Sequence, residues 1–131
     1  MERDTGWGKL SVHPEVLAEV VSEAVEQVAH GFRLVSGERG LRALLRGHES
    51  HAVVVEEAEG ALHIHLHLAV EFGRKLSEIA RVVSQVVDRA LWEAVEQHPQ
   101  EVVVHVVDVY PSYASSRTSS ARDSEAAKPQ M

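Results

Sequence analysis

From Pro14 onward the apolar residues recur at helical spacing. Val16, Leu17, Val20, Val21, Ala24, Val25, Val28 and Ala29 make one stripe that stops before Gly31. The His13-Pro14 pair supplies the start, because proline at the first helical position lacks an N–H that would have no partner there. Glu15 then suits the positive end of the helix dipole. The pattern predicts a helix over residues 14–30. A second stripe follows Gly73: Leu76, Ile79, Ala80, Val83, Val86, Val87, Ala90, Leu91, Ala94 and Val95, with Glu78, Arg81, Gln85, Asp88, Arg89 and Glu96 on the other side. His98-Pro99 closes this longer helix.

Strand-like runs lie between and around the helices. Leu10 to Val12 is a short one, Phe32 to Val35 another, and Val102 to Val109 the last. His51 to Glu57 and Ala61 to Phe72 flank Ala58-Glu59-Gly60, which reads as a hairpin. A two-residue Glu59-Gly60 loop sets Val55 opposite Ile64, Val53 opposite Leu66 and Glu56 opposite His63. Between Val35 and His51 the chain is loop-like, with a single helical turn over Leu41 to Leu45. The arginines Arg33, Arg39, Arg42 and Arg46 read as solvated, with an anionic partner as their rarer use. The resulting order is β-α-β-β-β-α-β, an α+β domain over residues 9–110. Residues 1–8 read as a flexible lead. Residues 111–131, rich in Ser and Ala, cannot bury enough apolar surface to offset chain entropy and read as a disordered tail. Each helix has one apolar face, so both pack on the same side of a small mixed sheet, and the other side stays open.

The stretch GALHIHLHLAVEFG decides which face is which. Alternation sends Leu62, Ile64, Leu66, Leu68 and Val70 one way and His63, His65 and His67 the other. The leucine side belongs beneath the helices, so the imidazoles look outward, joined by Val54, Val103, His105 and Val107 from the neighbouring strands. Two imidazoles two residues apart can share one metal, whereas His63 and His67 are roughly 13 Å apart along the backbone. A site for zinc, nickel or copper would therefore combine one neighbouring pair from His63, His65 and His67 with His105 or Glu56. Its binding would be weak. The plainer reading is a polar sheet surface that serves as an interaction face. His13, His30, His48, His51 and His98 fall at element ends and loops and read as solvated.

Composition narrows the function. The chain has 131 residues with 44% hydrophobic and 25% charged positions, an ordinary globular balance for one domain. Thirteen Lys and Arg against twenty Asp and Glu give −7, a field that repels nucleic acid and anionic lipid. With no cysteine there is neither a disulfide nor a thiolate site. No apolar run has the length of a signal or a membrane span, so the default address is the cytoplasm. Ser77 and Ser84 have no Gly-x-Ser-x-Gly elbow around them, no phosphate loop occurs, and Glu56-Glu57 reads as a strand end. Protonating all nine histidines would carry the formal charge from −7 to +2, so an imidazole-lined interface is expected to loosen in acid.

Three segments resemble the alkaline shock protein 23 family of bacterial envelope-stress proteins. GKLSVHPEVLAEVVSEAVEQVAHGFRLV is similar to its opening, VEFGRKLSEIARVVSQVV to its aromatic-Gly pair and second helix, and VVVHVVDVYP to its last strand. The likeness spans about residues 8 to 110. Val103 stands where the family commonly has Asn, Ser84 where Gln is frequent and His65 where Asp is frequent. The resemblance implies a non-enzymatic, stress-linked cytoplasmic protein that assembles with itself or with a membrane-bound anchor, without catalytic residues, cofactor or small-molecule substrate.

Overall fold

The computed structural model describes residues 1–35 and 52–112. The turn expected at 41–45, Arg39, Arg42, Arg46, His48, His51 and the tail from residue 113 lie outside them.

Among the described residues eight elements run in the order β1 (Glu2–Asp4), β2 (Lys9–Ser11), α1 (Pro14–Val28), β3 (Phe32–Leu34), β4 (Val53–Ala58), β5 (Ala61–Glu71), α2 (Leu76–Val95) and β6 (Glu101–Tyr110). Pro14 opens α1 and Glu15 lies in its first turn. The β4–β5 hairpin turns through Glu59 and Gly60, both at positive φ, and its register matches the expected one: Val53 with Leu66, Val55 with Ile64, Glu56 with His63.

β5 is the centre of the main sheet. β6 pairs with it in parallel along one edge, while β4 and β3 lie end to end, antiparallel, along the other. The core sits between this sheet and the helices. Leu62, Ile64, Leu66 and Leu68 are fully buried, together with Leu17, Val21 and Val25 of α1 and Val83, Val87 and Leu91 of α2. α1 lies against β4 and β3, and α2 against β6.

Two expectations need correction. Lys9–Ser11 does not join the main sheet, because both edges of β5 are occupied; it pairs with Glu2–Asp4 in a separate two-stranded sheet. The first residues are therefore a strand rather than a loose lead. Asp4 Oδ1 accepts from the Gly6 N–H at 3.0 Å and Thr5 Oγ1 from the Trp7 N–H at 3.2 Å, a local turn whose closure costs little chain entropy. Arg3 Nη2 then donates to the Glu96 carbonyl at 2.8 Å and ties the hairpin to the end of α2.

The second correction concerns Val107. The β5–β6 ladder shifts after Leu68, so that Val106 pairs with Leu68 but Asp108 with Ala69, and Val107 sits at a bulge opposite no β5 residue. It does not continue the alternating row of Val103 and His105. The signal is present in VVVHVVDV: strict alternation would put Asp108 among the core-facing valines, and a bulge turns the carboxylate to the other side.

Candidate interaction face

Register fixes what shares the open face. Successive rows read Glu56–His63–Glu101, then Val54–His65–Val103, then His67–His105, then Arg33–Ala69–Asp108. His63, His65 and His67 are half-buried and their leucine neighbours fully buried, as the period-two pattern requires. No helix of the described residues covers this side.

The imidazoles are engaged with one another and with their strands. His63 Nδ1 lies 3.2 Å from a Glu101 carboxylate oxygen. His67 Nδ1 is 3.2 Å from the Ala52 carbonyl, which can only accept, so this nitrogen carries the proton. His65 Nδ1 and His105 Nε2 are 3.1 Å apart, so one donates and the other accepts. Their ring centroids are 5.3 Å apart with planes inclined by 17°, and the excess over the nitrogen separation is close to two ring radii. The rings thus meet nearly end on. His67 lies alongside His105 at 4.8 Å and 13°.

That arrangement holds a proton between two rings; it does not aim two lone pairs at a third point. Among the described residues no group of three or more His, Asp or Glu side chains is set to hold a metal ion. Burial, and then the neighbouring charges of His67 and His65, lower the His105 pKa below its ordinary 6.5. A second proton on the His65–His105 pair would break their hydrogen bond as well as add repulsion.

The imidazole row ends at His67 for a reason the sequence pattern does not reveal. Arg33 is on β3, as the expected strand has it, and its guanidinium lies 4.6 Å above the Tyr110 ring of β6. These two residues come from opposite sides of β5 and bridge it. The residue between them is Ala69, which is fully buried on this nominally open side. A large side chain there would not fit under the bridge. His98 is exposed, as its reading requires, and also has partners: its Nδ1 lies 2.7 Å from Asp88 Oδ1 and its ring stacks on Trp92 at 4.7 Å.

The chain is thus a two-layer α+β domain with helices on one side of the main sheet and an imidazole-and-valine surface on the other. It belongs to the alkaline shock protein 23 family, described as having a cell envelope-related function, whose model matches residues 2–111. Comparison with curated proteins and with solved structures gives no match. No helix among the described residues is long and apolar enough to cross a membrane.

Proposed function

We propose that this protein is a non-enzymatic interaction module of the cell envelope that works on the cytoplasmic side by docking through its open sheet face. The docking partner is a second copy of the chain or a membrane-anchored protein. The observation that carries this reading is the composition of the face: Val54, 37% exposed, and Val103 sit between imidazoles on a surface that no helix of the described residues covers. A half-apolar sheet face of this kind is characteristically covered by another protein. The envelope-related description of the family agrees with such a role.

The test is fractionation of cells that make the full chain, comparing the native protein with Val54→Lys. The wild type is expected to sediment with the envelope and the variant to stay in the supernatant with an unchanged melting temperature. A wild type that never sediments, or a variant that sediments equally, counts against docking through this face.

A further inference from the structure

β6 pairs with β5 along one edge only, and no described residue pairs with the other. Which backbone groups look outward follows from one hydrogen bond. On β5 the odd residues bond to β3 and β4, as His67 N–H to the Ala52 carbonyl shows, so in the parallel register their partners Glu101, Val103 and His105 bond to β5, and the N–H and C=O of Val102, Val104 and Val106 point to the outer edge. The ladder is regular up to Val106 and is broken only at the Val107 bulge. This regular half contains no proline, lysine or bulge, the devices that normally blunt an edge strand. Its core-side residues also outrun the helix layer. Val106, paired with Leu68, is 39% exposed, and Val109, paired with Val70, is 51% exposed.

We propose that the outer edge of β6 pairs antiparallel with β6 of a second copy, about a two-fold axis at Val103. Three features select this occupant and this register. In an antiparallel pair, facing residues either both direct their backbone groups across the gap or both direct them away, so a symmetric pairing of this edge centres on a single residue, here with Val102 and Val104 exchanging the bonds. The regular segment from Gln100 to Val106 is symmetric about Val103, so this register uses all of it. It also places Glu101 of each copy opposite His105 of the other, a carboxylate facing an imidazole, with Val102 opposite Val104 on the core side. Across the junction the open-face row becomes Glu56–His63–Glu101 followed by His105–His67 of the second copy, so each Glu101 carboxylate lies between two imidazoles. Strands spaced by about 4.8 Å bring the two α2 helices to roughly 10 Å, an ordinary helix-packing distance, if each lies over β5 and β6. Their approach would cover the overhanging valines. Both open faces end on the same side, and two four-stranded sheets become one eight-stranded surface. The edge pairing stands independently, and rests on the docking reading only for the use of that doubled face.

The experiment measures sedimentation of the full chain over micromolar to millimolar concentration, with amide exchange at Val102, Val104 and Val106. Expected is a dimer whose formation protects these three amides. Val104→Pro deletes an outward N–H while sparing the β5–β6 ladder, and should weaken the dimer about 10- to 100-fold. Glu101→Lys should also weaken it, by placing a cation opposite His105, and adding His105→Glu should restore it. A wild type that stays monomeric overturns the edge pairing and leaves the docking reading intact. A dimer dissolved by Val54→Lys but not by Val104→Pro assigns association to the face and also overturns it. Amides protected equally at every concentration would mean that the edge is covered within one chain, which refutes the proposal as well.

Discussion

Adjacent residues of β5 offer the sharpest test of the layer arrangement. Leu66 and His65 are next to each other in the chain, yet Leu66 is 0% exposed between Val53 of β4 and Val104 of β6, while His65 lies on the open side. Leu66→Ala removes a fully buried branched side chain beneath two helices, where the transfer loss and the cavity together cost about 3 to 4 kcal/mol. His65→Ala removes one hydrogen bond, the 3.1 Å contact with His105, worth about 1 kcal/mol. The difference between the two variants is therefore at least about 2 kcal/mol. For a domain of this size Leu66→Ala corresponds to a fall in Tm of roughly 11 to 19 °C. Urea unfolding followed by far-UV circular dichroism at about pH 8, with imidazoles neutral and protein dilute, measures both, and an unchanged denaturant slope certifies the comparison. Equal costs, or a larger one for His65→Ala, would mean that the leucine row is not the packed side of the sheet, and the interaction face would lose its basis.

The His105 pKa lies below 6.5, so the unfolded chain takes up the proton first; stability should be complete above about pH 6.5, fall as the pH drops through it, and level off below the folded value. The groups around His105 on this face are His63, His65 and His67 of β5, Arg33 of β3, Glu56 of β4, and Glu101 and Asp108 of β6. His105→Val should flatten the acid limb of a plot of Tm against pH, and a variant that keeps the full acid loss refutes the assignment to this ring. Gly31→Ala should cost about 1 to 2 kcal/mol in thermal unfolding, because Gly31 has a φ of +82° and an added Cβ would meet the Arg74 guanidinium, which holds Glu71 at 2.8 Å. A variant as stable as the wild type would show that this corner gives way freely.

The elements that sequence periodicity reveals are those whose pattern is set by burial alone. The two helices, the Glu59-Gly60 turn and the division of β5 into leucine and histidine faces each follow from one local rule, and the structure has all of them. What stays hidden depends on pairing partners distant in sequence. The Lys9–Ser11 strand looks like a member of the main sheet because nothing in its letters says that β5 already has both edges filled. Val107 looks like an outward residue because a bulge is defined by the opposite strand. Arg33 and Tyr110 meet only because β3 and β6 flank the same stretch of β5, and Ala69 gives the sole local hint of a cover above it.

The sheet offers its surroundings two edges, and they are not equivalent. The β3–β4 edge is built from two short strands placed end to end. α1 lies against both, and Arg33, Glu56 and Glu57 put charge along it. Each of these features discourages another strand from pairing there. β6 has ten residues, lies at the far side of α2, and carries its one interruption at Val107, past the regular run of valines. The bulge therefore limits pairing to the half that ends at Val106. A strand added at that half would extend the same layer whose open side holds the imidazoles. Edge and face are thus separable by substitution but geometrically coupled, because pairing at the edge decides how large a face the assembled protein presents.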